Sequence, residues 1–174
     1  SENAVPSPLC AYGKSKYEAE QIVLAASPGN LVLRTAILYG PDPRRLNTVY
    51  QVLKAFREQR VLKVATDQVG SPTYGPEAAW ATFELLTAAA SGIYHVVGPT
   101  MLSRSAFGRL VCEVFHIPAS QVLEERSTSE LGQVAPRPLA AGLLEARLHK
   151  QLGRSLVTPK EGLESLRDFI AHEL

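Results

Sequence analysis

The sequence predicts an α/β fold, on three observations. Helix-forming segments alternate with short apolar runs, one of those runs is apolar almost throughout, and the turn-rich stretch after Pro99 has a different texture from what precedes it. The run is Leu31 to Gly40, LVLRTAILYG, rich in branched side chains. A half-exposed antiparallel strand would alternate polar and apolar residues, so Leu31 to Tyr39 reads as a strand buried on both faces, as parallel sheets require. Ile93 to Val97 is a second such strand. Two strands make no stable doubly wound sheet, so part of the sheet is expected to lie outside this chain. An apolar edge along Leu31 to Tyr39 is then expected to drive self-association unless another chain covers it, which light scattering would report.

Each element has a local reason. Tyr12 to Ala26 are helix formers, stopped by Pro28-Gly29-Asn30. Leu46 to Arg60 carries a helical stripe of Leu46, Val49, Tyr50, Leu53 and Phe56, and Val61 to Ala65 follows as a short strand. Asp67 to Gly75, DQVGSPTYG, is too polar for a core and reads as a functional loop. Pro76 opens a helix with Ala79, Trp80, Phe83 and Leu86 as its core face. Ser103 caps a helix that buries Phe107, Leu110, Val111 and Val114, with Cys112 as a small hydrophobe on the same face. A strand near Val122-Leu123 and a short helix around Glu145 to Gln151 come next. Thr158, Pro159 and Glu161 then form a capping box for a last helix, with Leu163, Leu166 and Ile170 inward.

Composition narrows the function. Among 174 residues, 18 Lys plus Arg oppose 17 Asp plus Glu, for a net charge of +1. That balance gives no field to recruit nucleic acid or an anionic membrane. Ala78 to Val97 is interrupted by Glu84, Ser91, Gly92 and His95, so it is not a membrane span. Two cysteines and four scattered histidines offer neither a disulfide framework nor a metal site, and Ser1 to Leu9 has no leader pattern. A soluble, cytoplasmic protein is expected. A chain that opens on a proline-punctuated loop without Met reads as the later part of something longer.

Tyr12 and Lys16 stand one helical turn apart, on one face. An ammonium there stabilises phenolate over phenol, which makes Tyr12 a usable proton donor or acceptor. On spacing alone a surface pair is the simpler reading. Arg34 in its strand either neutralises a carboxylate or caps carbonyls, on one reading, or touches a ligand, on the other. Arg44-Arg45 reads as a solvated loop pair, with phosphate contact as the alternative. His95 reads as a satisfied core histidine.

The stretches YGKSKYEAE, LVLRTAILYGP, DQVGSPTY, GIYHVVG and RPLAAGLLEARL, in this order, resemble the latter half of extended short-chain dehydrogenases/reductases. The likeness is to dTDP-4-dehydrorhamnose reductases and their relatives, including the regulatory β subunit of methionine adenosyltransferase, and covers about Pro6 to Leu166. It implies the carboxyl-terminal part of a Rossmann-type domain at 1–40 and 76–98, with a substrate-binding lobe at 41–75 and 99–174. It implies Tyr12 as catalytic acid and Lys16 as its partner on the nicotinamide ribose, with Ala36, Ile37 and Leu38 beside the cofactor. Val69, Gly70, Ser71, Pro72 and Thr73 would face the substrate, with Arg137 near the mouth of the lobe. The cofactor implied is NADP or NAD, and the substrate a nucleotide-linked deoxysugar with a keto group.

The family's glycine-rich phosphate loop and its catalytic Ser or Thr lie upstream of the tyrosine, hence outside this chain, which on its own is expected to be inactive and to bind no dinucleotide. Ile37 stands where the rhamnose reductases carry a tryptophan and looks like the regulatory-subunit version, whereas DQVGSPTY looks like the reductases. A non-catalytic regulatory subunit, acting on a partner enzyme, and a sugar-nucleotide epimerase or dehydratase are the alternatives. A homo-oligomer is also open.

Overall fold

A computed structural model describes residues 1–172, without the side chain of His172. Helix α1, Ala11–Ala26, leads into strand β1, Leu31–Arg34, and the short strand β2, Leu38–Tyr39. Helix α2, Thr48–Arg57, is followed by β3, Leu62–Ala65, β4, Val69–Gly70, and β5, Thr73–Tyr74. Next come α3, Gly75–Thr87, β6, Gly92–His95, β7, Leu102–Ser103, and α4, Arg104–Val114. The chain finishes with α5, Ala119–Val122, β8, Leu123–Arg126, α6, Ala146–Leu152, and α7, Pro159–His172.

The strands pair two by two. β1 runs parallel to β6, from Leu31 opposite Gly92 to Arg34 opposite His95. β2 pairs parallel with β5 and β3 parallel with β8, while β4 and β7 are antiparallel. Parallel pairing of strands so far apart in sequence needs the helical crossovers seen between them.

The expected strand from Leu31 to Tyr39 is interrupted. No residue of β1 is fully buried, Thr35 is exposed, and Ile37 takes a left-handed φ of 44° before β2 begins. A β-branched residue is strained there, so the break is imposed by the surroundings. Strand β1 has no strand partner on the edge away from β6 among the described residues. The far edge of β6 is guarded instead: the Arg147 guanidinium donates to the Ile93 and Ser91 carbonyl oxygens at 2.7 and 3.0 Å and stacks 4.1 Å from the Tyr94 ring centroid. A cation on a sheet edge blocks further pairing.

Two hydrophobic clusters form. One joins Val49, Val52 and Ala55 of α2 to Phe107 and Val111 of α4 and to Leu163 and Leu166 of α7. Removing each large side chain from water contributes roughly 1.5–3 kcal/mol. Caps set the ends of these helices. The Asn47 side chain accepts from the Val49 N–H at 3.1 Å, Ser103 accepts from Ala106 at 3.0 Å, and the Glu161 carboxylate accepts from the Thr158 N–H at 2.7 Å. The other cluster packs Ala81 and Leu85 of α3 with Tyr94, Val96, Leu148 and Leu156. Helix α6, assigned to the lobe from sequence, therefore packs with β6. Sequence also misplaces part of α3: Phe83 and Leu86 are 66% and 62% exposed, whereas Trp80 packs at the margin of this cluster, half-buried beneath the Arg154 guanidinium, 3.8 Å from its ring centroid. Helical periodicity finds an apolar face but not what covers it.

An aromatic group anchors β2 and β5 in the first cluster. Tyr39 packs against Tyr74 and Phe107, with ring centroids 5.6 and 5.1 Å away, and donates its hydroxyl to the Pro159 carbonyl at 3.1 Å. Burial raises its phenol far above the ordinary range. Gly162 of α7 lies against both tyrosine rings, where any side chain would collide.

Candidate functional site

Tyr12 and Lys16 both lie on the exposed side of α1. The Lys16 ammonium sits 5.7 Å from the centroid of the Tyr12 ring, within cation–π range, and Tyr12 is 71% exposed. The Tyr12 hydroxyl makes no hydrogen bond among the described residues.

The same face continues to Glu20, one turn beyond Lys16. Glu20 accepts two hydrogen bonds from Arg34 at the end of β1, from Nε at 2.9 Å and from Nη2. Arg34 thus neutralises a carboxylate, one of its two sequence readings. Its Nη1 lies 3.5 Å from Nε2 of His95, whose Nδ1–H donates to the Leu144 carbonyl at 3.0 Å, and the His95 backbone N–H donates to the Glu2 carboxylate at 3.3 Å. His95 is a buried, satisfied histidine, 1% exposed.

Burial pushes the His95 pKa below its ordinary 6.5, against the opposing charge of Glu2. The unfolded ring takes up a proton as pH falls through about 6.5, while the folded ring resists until lower pH. Stability is therefore expected to fall as pH drops below about 6.5 and to level off once the folded ring titrates too. Urea midpoints measured across that window should show the slope, and His95→Gln should flatten it; an unchanged slope would place its origin elsewhere.

The loop 67–73 is a stitched platform rather than a free loop. The Asp67 carboxylate accepts from the Thr128 hydroxyl at 2.6 Å and its N–H at 3.0 Å, which holds the carboxyl below its usual range. The Val69 N–H donates to Leu139 O at 2.7 Å, and Ala141 N–H donates to Val69 O at 2.9 Å. Ser71 and Thr73 are fully buried. The Ser71 hydroxyl accepts from Leu143 N–H at 3.1 Å; that of Thr73 donates to Ser71 O at 3.0 Å and accepts from Gly98 N–H at 3.2 Å. These two hydroxyls, expected to face a substrate, are engaged by backbone. Pro72 is buried, and its carbonyl presses on Gly98 so closely that only glycine fits. Gly70 lies beneath Ile37, whose Cδ1 would be 2.6 Å from an added Cβ, and the Thr73 N–H donates to Ile37 O at 3.1 Å. Gly70 and Thr73 are thus joined to strained Ile37. Ala36 is half-buried, and Leu38, 50% exposed, lines a cavity of about 780 Å³ with Leu33, Thr35, Pro76, Ala79 and Val96.

A second cavity, of about 310 Å³, is polar and includes Lys63, Gln68, Arg104, Gln133 and Arg137. The Gln68 amide donates to Gln133 Oε1 at 2.9 Å, which fixes one wall. Burial, together with the charge of Arg137, lowers the Arg104 pKa, and neither arginine has a carboxylate partner among the described residues. Paired guanidiniums facing a polar cavity suit a phosphate or carboxylate ligand. Arg137, singled out by the sequence resemblance, lines this cavity, and so does Arg104, which the sequence reading missed. The signal was a cation in the first turn of α4, where the helix dipole disfavours it. Tyr12 and Lys16 line neither cavity.

A parallel strand pair with α1 and α3 packed against it, together with a helical cluster beside a polar cavity lined by two arginines, defines an α/β chain. The chain belongs to the RmlD substrate binding domain family, which matches residues 1–171. It is 30% identical to a probable low-salt glycan biosynthesis reductase of Haloferax volcanii over 168 residues, 95% of this chain and 56% of that protein. It is 29% identical to the methionine adenosyltransferase 2 subunit beta of Xenopus tropicalis over 178 residues, 97% of this chain and 52% of that one. The structure of dTDP-4-dehydrorhamnose reductase from Bacillus anthracis in complex with NADP superposes with a TM-score of 0.86 at 28% identity, covering 98% of this chain and 58% of that one. The chain thus spans somewhat over half the length of these relatives. Among the described residues no helix is long and apolar enough to cross a membrane, and no group of His, Cys, Asp or Glu is placed to hold a metal.

Proposed function

We propose that this chain is the substrate-side part of an NAD(P)-dependent reductase that reduces a keto group on a nucleotide-linked deoxysugar. The observation that carries the reading is the Tyr12–Lys16 pair, whose aromatic hydroxyl and ammonium have no structural task in the fold. In this reading 1–40 and 76–98 belong to the cofactor domain and 41–75 and 99–174 to the substrate lobe, with α6 in the lobe by sequence but packed against the first in space.

The residues present fit the nicotinamide-ribose end of a dinucleotide: Tyr12 and Lys16 offer a hydroxyl and an ammonium, beside the carboxyl end of β1 where open parallel sheets bind ligands. They provide no glycine-rich helix start for the pyrophosphate. When bound, the reduced dinucleotide supplies the hydride that goes to the keto carbon. Tyr12 gives its phenolic proton to the keto oxygen, completing an alcohol, and Lys16 stabilises the phenolate left behind. Arg104 and Arg137 hold the phosphates of the sugar nucleotide, positioned by the platform of 67–73 that fixes Gln68. Of that platform, Gly70 and Thr73 reach the ligand side through Ile37, while Val69, Ser71 and Pro72 support it from behind.

The test is NADPH oxidation by the complete protein with a dTDP-4-keto-6-deoxysugar. Turnover supports the reading. Tight binding to a partner enzyme without turnover would replace it with a regulatory role, the reading favoured by likeness to the methionine adenosyltransferase subunit. Calorimetric titration of the 174-residue chain alone is expected to show no NADPH binding, and micromolar affinity would count against the division of labour proposed.

A further inference from the structure

Outside the site just described, a groove of about 530 Å³ runs between the loop Arg44–Leu46, helix α2 and Ile170 of α7. Its floor is apolar, from Tyr50, Leu53 and Ile170, and its rim carries Arg44, Arg45, Lys54 and Arg57 against the single carboxylate of Glu58. That carboxylate is already held by Arg60 at 2.6 Å, with Lys54 at 3.9 Å. No ion pair engages Arg44, Arg45 or Arg57 among the described residues. In a chain of net charge +1, this is a local concentration of positive charge.

The helix dipole explains Lys54 and Arg57, which stand in the last turn of α2, but not the loop arginines. Asp42 locks that loop by accepting from the N–H groups of Arg44 at 3.0 Å and Leu46 at 2.8 Å. Arg45 is held at φ 55°, where glycine or asparagine would be cheaper, and Leu46 is left 61% exposed. The loop is therefore a rigid mount that displays two cations and an apolar side chain at the head of the groove, and folding alone gives no reason for those residue types.

We infer that this groove binds an acidic peptide segment of a partner protein, with a large apolar side chain on the Tyr50–Leu53–Ile170 floor and carboxylates against Arg44, Arg45 and Arg57. Other occupants fit less well. A flat bilayer does not reach a concave floor. The stripe from Tyr50 to Arg57 is only about 10 Å long, too short to follow a nucleic acid backbone, and Tyr50, 8% exposed, offers no ring face for a base. An apolar floor within a rim of arginines is instead the composition of a protein-recognition surface. Arg44 and Leu46 also line the cavity at the carboxyl end of β1, so an occupant would touch a wall of that cavity.

Fluorescence anisotropy of the full chain tests this with a labelled peptide bearing a Leu-Phe pair between two Glu-Glu pairs, beside a Lys-for-Glu version. Saturable binding of the acidic probe alone, weakened by salt and at least about tenfold by Arg45→Glu/Arg57→Glu, is expected. Arg45→Gly guards against misfolding, since it relieves the backbone: it should raise the thermal midpoint while weakening the probe. A gain in midpoint with unchanged binding would overturn the inference. So would the absence of saturable binding, or a preference of the same arginines for phosphatidylserine vesicles over the peptide.

Discussion

Replacing Tyr12 with Phe in the complete protein is expected to cut turnover by about 10²–10⁴ while folding and nucleotide-sugar binding stay as they were. The change removes one oxygen. That oxygen has no hydrogen-bond partner among the described residues, and the ring is 71% exposed, so no packing is lost. What disappears is the proton donor to the keto oxygen. Lys16→Met leaves the donor but removes the ammonium near its ring, and should slow turnover while raising KM for the dinucleotide whose ribose it would hold. Steady-state kinetics with the dinucleotide as the varied substrate separates the two. A Tyr12→Phe protein that turns over as fast as its parent would remove Tyr12 from the chemistry, and with it the observation on which the proposed function rests.

How much of this was legible follows from what a linear pattern encodes. Caps and buried helical faces are local: Ser103 and Thr158 beside periodic apolar residues located α4 and α7, an apolar stripe alone located α2, and the Thr158–Glu161 box formed as read. The Tyr12–Lys16 spacing is equally local. The break at Ile37 was invisible, because it is imposed by the contact with Gly70 and the bond from Thr73, residues over thirty positions away. The burial of the Ser71 and Thr73 hydroxyls was hidden for the same reason, since polar residues in a polar loop look solvent-facing until the segment at Leu143 and Gly98 is folded onto them. Phe83 shows the converse: an apolar residue at core spacing stays exposed when nothing in this chain packs over it. Arg104 was legible in principle, as a cation placed against a helix dipole, but such a breach gains meaning only when Arg137 is seen facing the same cavity.

The Glu20–Arg34 pair is expected to give the largest single change in stability and also to bear on function. Their side chains are only 10% and 19% exposed. Glu20→Leu leaves the Arg34 guanidinium beside a neutral His95, without the carboxylate that accepted from Nε and Nη2. Stranding a largely buried charge in this way costs about 3–5 kcal/mol, a fall of roughly 6–20 °C in Tm for a chain of this size. Removing both charges, in Glu20→Leu/Arg34→Met, should recover most of the loss, because the desolvation of the pair disappears with it. Orientation need not recover. No residue of α1 is fully buried, so rotation of the helix about its axis is set by this pair and by the Asn30 amide donating to Val23 O at 2.7 Å. Tyr12, Lys16 and Glu20 share one face over about 12 Å, and a turn of that face moves the phenol with it. The double variant should therefore melt close to the parent and still turn over more slowly, with kcat falling more than KM rises. Restored stability with unimpaired kcat would reduce the pair to a structural tie, whereas failure of the double variant to regain stability would show that packing around Arg34, rather than its charge, holds α1 on the sheet.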